Sequence, residues 1–176
     1  MHGPTQDKGD SAKQKERADV AECFERDGIS LRCPQGWTMS TETTRDGWTV
    51  TLQSDSTAFV LVTLLTHRTP PAQAARTVLR ALQADYRELE SRPCTEVVAG
   101  REAVGYEADF FALDLLVRAK VLALACTAGT LCILQQLADS ESSLTDLRMQ
   151  SIVKSLAIRP LEPTEEDAAD SGEQLE

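Results

Sequence analysis

The stretch that decides the fold is Phe24–Trp37, which reads FERDGISLRCPQGW. Two short strand-like runs, Ala21–Glu25 and Ile29–Cys33, flank Arg26-Asp27-Gly28, and an Asp-Gly turn between such runs is typical of a β-hairpin. A Pro-x-Gly-Trp corner follows at 34–37 and leads into further strand-like segments. The stretch therefore predicts a β-rich domain that opens with a hairpin.

Two more strands and a helix are predicted after this corner. Trp48–Gln53 alternates apolar and polar residues, as a half-buried strand does, whereas Ala58–Thr66 is almost continuously apolar, as a central strand is. Thr69-Pro70-Pro71 predicts a helix start with Thr69 as the cap and proline in the first turn. The apolar stripe of that helix extends to about Ser91 and contains Ala75, Val78, Leu79, Leu82, Tyr86 and Leu89.

The second half of the chain predicts an antiparallel series and a closing helix. The strands are Thr95–Ala99, Ala103–Phe111, Leu115–Cys126 and Leu131–Leu137. Ser143 with Asp146 three residues later resembles a capping box. The inner face of the helix is predicted to contain Leu144, Leu147, Ser151, Ile152 and Leu156.

The hairpin that turns at Leu113-Asp114 has one register that separates charged from apolar side chains. In this register Glu107 lies opposite Lys120 and Asp109 lies opposite Arg118, which gives two opposite-charge pairs on one face. A slip of one residue would place apolar groups opposite charges, so this register is favoured. The other face is then wholly apolar, with Tyr106, Ala108, Phe110, Val117, Ala119 and Val121.

These elements predict an α+β fold. Two strands with both faces apolar need cover on both sides of the sheet, and one helix per face supplies it, giving a three-layer α/β/α sandwich with a mainly antiparallel sheet. A single domain is predicted over 21–160. The polar and charged segments 1–20 and 161–176 are predicted to be disordered, because they cannot bury enough apolar surface to offset the entropy of ordering.

The charge is unevenly distributed along the chain. The net charge is −10, but 162–176 alone contains seven acidic residues and no basic one, so the central domain is close to neutral. No Lys/Arg stripe with interleaved aromatic residues occurs, which argues against nucleic-acid binding. No run of 18 apolar residues occurs, so no membrane insertion is expected. A polar N-terminus without an apolar leader core indicates either a cytoplasmic protein or a sequence that begins after a removed leader, and we favour the cytoplasm.

The cysteines predict reduced thiols rather than a disulfide framework, because their number is five, their spacing is irregular and no CxxC is present. Cys126 and Cys132 flank the last hairpin turn. They would face each other across a three-residue loop and would be offset by a two-residue turn. They are either a redox pair or half of a metal site, or, as we favour, two small buried residues.

No catalytic, metal or cofactor site is predicted. His67 could form a nucleophile dyad with Cys33 or Cys94, but it follows a strand and precedes a helix, where a solvated polar residue is ordinary. The sequence contains no phosphate-binding loop, dinucleotide fingerprint, zinc-protease, nucleophile-elbow or calcium-loop pattern. We expect a protein that is not an enzyme.

Three residues are candidates for binding a partner protein: Trp37, Arg118 and Lys120. An exposed tryptophan is a typical interface anchor, although Trp37 at the end of the Pro-x-Gly corner is also placed to plug the core. Arg118 and Lys120 are either part of a polar site or half of two cross-strand pairs on a solvated face, where such pairs contribute about 0–1 kcal/mol.

The chain resembles the PsbP-like fold family, which includes PsbP, a small Ran-binding protein, DcrB-like lipoproteins and Eag-type chaperones of type VI secretion effectors. The resemblance is carried by Phe24 with Gly28-Ile29-Ser30-Leu31, by Pro34-Gln35-Gly36-Trp37, by Phe59 and by Val98–Ala103. The sequence departs from individual members of this family: it shows no lipidation cysteine as in DcrB-like lipoproteins, no transit segment as in PsbP, and no Ran-contact pattern. The resemblance implies a non-enzymatic protein-binding or accessory module without a cofactor. The alternatives are an effector chaperone, which would need an apolar groove, and a small-molecule-binding protein or enzyme with its site at a strand end.

Overall fold

The structure is a computed structural model that describes residues 20–160. The predictions for 1–20 and 161–176 lie outside the described residues, except at Val20, where the first strand begins. In chain order the elements are β1 (Val20–Arg26), β2 (Ile29–Pro34), β3 (Thr38–Thr44), β4 (Gly47–Gln53), β5 (Phe59–Leu65), α1 (Pro71–Asp85), β6 (Glu90–Val98), β7 (Arg101–Ala112), β8 (Leu115–Cys126), β9 (Gly129–Ala138), α2 (Ser143–Ser155) and β10 (Ala157–Ile158).

The strands form two sheets, and every described pairing is antiparallel. The larger sheet has seven strands in the order β3-β4-β5-β9-β8-β7-β6, and the smaller has three in the order β1-β2-β10. The predicted α+β class with a mainly antiparallel sheet is therefore confirmed. Strands β3 and β6 form the two edges of the larger sheet.

The opening hairpin is confirmed. Strands β1 and β2 are joined by Asp27 and Gly28, whose φ values of 51° and 74° are the left-handed values that a two-residue hairpin turn needs. The Trp48 indole nitrogen donates a 2.7 Å hydrogen bond to the Asp27 carboxylate, and the rings of Trp48 and Phe24 lie with centroids 4.9 Å apart. These contacts fix the small sheet against the large one.

Two buried clusters lie on opposite faces of the seven-stranded sheet. The α1 cluster contains Ala75, Leu79 and Leu82 of helix α1 with alternate residues of β7 and β8. The α2 cluster contains Met149 and Ile152 of helix α2 with residues of β2, β4 and β5. Strand β8 contributes to both in turn, because successive side chains of a strand point to opposite faces: Val121 and Ala123 belong to the α1 cluster, and Leu122 and Leu124 to the α2 cluster.

The register predicted for β7 and β8 is confirmed. Glu107 pairs with Lys120 and Asp109 with Arg118, and the turn consists of Leu113 and Asp114, both with positive φ. The predicted apolar face is the one that α1 covers, where all its members are buried except Tyr106, which is half-buried.

Helix α1 differs from the prediction at both ends. Pro70 occupies the cap position and Thr69 does not cap the helix; its carbonyl instead accepts a 2.5 Å hydrogen bond from the Thr130 hydroxyl. The helix ends at Asp85 rather than near Ser91, because β6 already begins at Glu90 and the chain must reverse before it. Tyr86 still packs in the α1 cluster, so the predicted stripe continues beyond the helix itself.

Helix α2 begins one residue earlier than predicted, and part of its predicted inner face was wrong. Ser142, not Ser143, is the N-cap, and its side chain accepts a 3.2 Å hydrogen bond from the backbone nitrogen of Thr145. Leu144 and Leu147 are 55% and 60% exposed. Met149 is buried in their place, because the helix is rotated so that the side carrying Met149, Ile152 and Leu156 faces the sheet.

Strand β3 was missed because its sequence, TMSTETT, has no apolar periodicity. Only Met39 of this strand is even half-buried, as expected for an exposed edge strand. It pairs with β4 throughout, from Thr38 opposite Gln53 to Thr44 opposite Gly47.

Candidate functional site

A groove of about 770 Å³ lies between helix α2 and strands β6–β9. Its floor includes Glu107, Lys120 and Gln135 from three neighbouring strands, and one wall is the α2 side that presents Asp146 and Lys154. The β6–β7 turn closes the opposite side. The groove exists because α2 packs against β2 and β5 and leaves the outer strands of the same face uncovered.

The floor is built by a row of side chains across four strands. Gln135 of β9 pairs with Lys120 of β8, Lys120 with Glu107 of β7, and Glu107 with Arg92 of β6. Residues in register on neighbouring antiparallel strands point to the same face. The sequence therefore places one amide and three charged groups side by side on the floor of the groove.

The three charged groups of this row are linked by ion pairs and hydrogen bonds. The Lys120 ammonium forms ion pairs with Glu96 and with Glu107, at 3.4 Å from the Glu107 Oε1 atom. Arg92 donates to the Glu107 Oε2 atom from its Nε atom at 2.7 Å, and its Nη2 atom lies 2.6 Å from the same oxygen. Two carboxylates and two cations thus form a neutral network along the β6 side of the groove.

The network shifts the pKa values of its members toward their charged forms. The hydrogen bond from Arg92 lowers the pKa of Glu107, against burial, with Lys120 adding to the effect. Burial acts to lower the pKa of Lys120, but the hydrogen bonds and charges of Glu96 and Glu107 outweigh it, and the pKa is raised. Both groups are therefore charged at neutral pH.

Arg118 and Asp109 lie opposite each other but form no ion pair. The Arg118 Nη2 atom lies 3.6 Å from the Asp139 carboxylate instead, and both side chains are well exposed. Such a contact contributes little and leaves the guanidinium available. Asp109 and Lys154 form no ion pair within 20–160, although the charge of Asp109 acts on Arg92, so the groove presents charges of both signs.

Gln135 is the residue that sequence reasoning missed. Its side chain is only 8% exposed, yet it makes no hydrogen bond with any described residue. Its signal was present in the sequence: it is a polar residue within the apolar run of β9, and a two-residue turn after Cys126 brings it opposite Lys120. The groove-lining residues of α2 were also missed, because the inner face of that helix was assigned to the wrong side.

The structure separates the three predicted partner-binding residues. Arg118 and Lys120 both line the groove. Trp37 is 7% exposed and belongs to the α2 cluster, where the Cys33 thiol donates to its carbonyl oxygen at 3.6 Å. It therefore occupies the core position that its corner sequence also suggested, and it does not line the groove.

Cys126 and Cys132 do not face each other, and neither His67 nor any of the five cysteines belongs to a metal-binding group within 20–160. The last hairpin turn has two residues, so Cys132 lies opposite Ala123 in the α1 cluster, while Cys126 packs against the α2 cluster on the other face. Burial raises the pKa of Cys132 to about 11, which keeps the thiol protonated. His67 is exposed beside Asp46, with 4.0 Å between the Nδ1 and Oδ1 atoms. All five cysteines are free thiols.

Within 20–160, no group of three or more His, Cys, Asp or Glu side chains is arranged to hold a metal ion. Neither α1 nor α2, the helices of the described region, has the length and apolar character required to cross a membrane. The groove is thus the feature of the described residues that best fits a binding site.

Comparison with known proteins gives structural likenesses at low sequence identity, among them the following two. No protein-family model matches the chain, and no curated protein matches it. A 1.50 Å crystal structure of a protein from Bacteroides thetaiotaomicron VPI-5482 aligns with a TM-score of 0.50 and 11% identity, over 78% of this chain and 48% of its own, so the chain spans about half of that protein. LpqN of Mycobacterium tuberculosis, described as involved in cell envelope biogenesis, aligns with a TM-score of 0.45 and 14% identity, over 90% of this chain and all of its own. The first likeness concerns the fold alone.

Proposed function

We propose that this chain is a non-enzymatic accessory module that binds a segment of a partner protein in the groove between α2 and β6–β9. The observation that carries the proposal is the groove itself, about 770 Å³ in volume, with Arg118 and Lys120 along it. Pockets that enclose a ligand commonly measure about 300–1,000 Å³, so the groove suits an inserted segment better than a flat protein face.

The proposal includes the PsbP-like, three-layer arrangement that the sequence predicts. Its support is the division of the core into two clusters on opposite faces of the sheet, each containing one helix. In such an arrangement the groove is the part of one face that its helix leaves uncovered.

A second candidate function is the binding of a small molecule, because the groove has the volume of a ligand site and contains a buried amide. An effector chaperone is less well supported. It would need an apolar groove for a partner helix, whereas this groove presents Arg118, Lys120 and Glu107 on its floor and Asp146 and Lys154 on its wall.

The test is affinity capture from lysate of the source cells with three versions of the full chain: the unchanged protein, Arg118→Glu and Arg80→Glu. Arg80 is the matched control, because it is also an exposed arginine but lies on α1, which covers the other face of the sheet. We expect one protein to be captured in stoichiometric amount by the unchanged chain and by Arg80→Glu, and to be lost with Arg118→Glu.

Equal capture by all three versions would contradict a partner site in the groove. Failure to capture any protein, together with a raised unfolding temperature in a metabolite screen, would favour the small-molecule function instead.

A further inference from the structure

Gln135 lies at the β9 end of the row across the groove floor and makes no hydrogen bond to a described residue. Buried side-chain amides in folded proteins nearly always have a partner, because an unpaired polar group away from water costs free energy. Gln135 is 8% exposed and hydrogen bonds to no described residue. Among the described residues, the Arg148 Nε atom is the one side-chain nitrogen or oxygen that is fully enclosed and has no hydrogen-bond partner. The amide atoms of Gln135 are therefore not fully enclosed, and they open into the groove that Gln135 lines.

The neighbours of Gln135 explain why the protein itself leaves the amide unpaired. On one side it pairs in register with Lys120, whose ammonium is engaged by Glu96 and Glu107. On the other side it pairs with Val60, which is apolar and buried. The amide is therefore the one uncommitted polar group in the row across the floor.

The chemistry of the amide indicates what would pair with it. A carboxamide presents one acceptor and one donor group side by side. A peptide group presents the same pair, so two hydrogen bonds can form between them, whereas a phosphate or an ammonium ion could use only half of the carboxamide. Charges of both signs along the groove, at Asp109 and Lys154, also argue against a polyanion as the ligand.

We propose that the groove takes an extended peptide segment and that Gln135 pairs with one of its main-chain peptide groups. This inference rests on the proposed function and specifies its recognition chemistry. Leu137, Met149 and Val153 also line the groove and provide apolar contacts for the side chains of the segment. In this arrangement Gln135 hydrogen bonds to the backbone of the peptide, and the charges of Arg118 and Lys154 determine which peptide side chains are favoured.

The test uses a random heptapeptide phage library selected on the full chain. The affinity of an enriched peptide is then measured by fluorescence anisotropy for the unchanged protein, Gln135→Leu and Gln136→Leu. Gln136 is the matched control, since it is the adjacent glutamine of β9, is half-buried and lies on the opposite face away from the groove. We expect about tenfold weaker binding with Gln135→Leu, as for the loss of a buried hydrogen bond, and a change below about twofold with Gln136→Leu.

A second measurement guards against misfolding of the variant. The unfolding temperature of Gln135→Leu should be close to or above that of the unchanged protein, because the substitution breaks no hydrogen bond to a described residue. N-methylation of each peptide group of the selected peptide should identify one position whose effect is large in the unchanged protein and absent in Gln135→Leu, as in a double-mutant cycle.

Equal affinity of an enriched peptide for the unchanged protein and Gln135→Leu would overturn the role of Gln135 and leave the proposed function intact. A library that yields no enriched peptide would overturn the inference that the ligand is an extended peptide. The proposed function would then be decided by the capture experiment with Arg118→Glu, so the two failures are distinguishable.

Discussion

The two faces of the β7–β8 hairpin have opposite environments although their residues alternate in one sequence. On one face, Ala108 and Phe110 are buried beneath α1. On the other, Glu107, Lys120 and Arg118 form the floor of an open groove. The covered face carries the packing that specifies the fold. The open face carries charged side chains that stay partly solvated and pair with one another, so they contribute much less to stability than the packed face does.

The largest effect is expected on the covered face. Phe110 is 1% exposed and its ring stacks on Tyr86 with centroids 4.1 Å apart, so Phe110→Ala should lower the free energy of unfolding by about 3–5 kcal/mol. Phe111→Ala is the control, because Phe111 is the next residue and is 64% exposed. It should change the free energy by about 0.5 kcal/mol or less. Urea denaturation measures both, and similar losses would contradict the assignment of the faces.

A smaller effect is expected at Gly105, a buried glycine of β7 that lies opposite Leu122 of the α2 cluster. A Cβ atom at Gly105 would lie 1.7 Å from the Val121 carbonyl oxygen, and a backbone atom cannot move aside without separating β7 from β8. Gly105→Ala should therefore cost about 1–3 kcal/mol or more. Gly100→Ala is the comparison: the site is open, but its φ of +73° imposes strain of about 1–2 kcal/mol. A loss at Gly105 no larger than that at Gly100 would show that the strands tolerate the extra atom.

The smallest effect is the pH dependence of the charged network. The pKa of Glu107 is lowered from its ordinary 4.5, first by the hydrogen bond from Arg92. A carboxylate with a lowered pKa in the folded state stabilises that state above its ordinary pKa, and this contribution is lost as the pH falls through the folded value. The pair is largely exposed and screened by solvent, so this contribution should be the smallest of the three effects.

Urea denaturation of the unchanged protein and Glu107→Gln, from neutral pH to below 4.5, measures this contribution. The unchanged protein should lose more stability on acidification, and the two curves should converge at low pH. Parallel curves would exclude a stabilising role for the ionised Glu107 carboxylate.

The sequence predicts those parts of the molecule whose residues have a strong local pattern. The Asp27-Gly28 turn and the β7–β8 register were predictable, because turn chemistry and charge pairing each permit one arrangement. Strand β3 was not, since Thr-rich edge strands bury little and leave no periodic pattern. The inner face of α2 was assigned incorrectly, because Leu144 and Leu147 are the more apolar residues whereas the rotation of the helix is set by tertiary contacts.

Only the strand residues of the candidate site were predictable from the sequence. Arg118 and Lys120 follow from the hairpin register, which depends on local spacing. Asp146 and Lys154, on the α2 wall, line the same groove as Arg118 and Lys120. Their position depends on where α2 packs against the sheet, which no local sequence pattern encodes. Gln135 could have been found by extending the register from β8 to β9 once the turn length was fixed.

The order of strands in the larger sheet has a consequence for how the chain folds. Neighbours in the sheet are neighbours in sequence at every ladder of that sheet except β5–β9. The strands β3–β5 and β6–β9 are two continuous meanders, each of which can assemble through short turns. Only the β5–β9 ladder must enclose the whole segment 66–128, and loop-closure entropy and slow folding both increase with such separation. The conformational search of the larger sheet is therefore concentrated in one event, the docking of two locally formed halves along their apolar central strands.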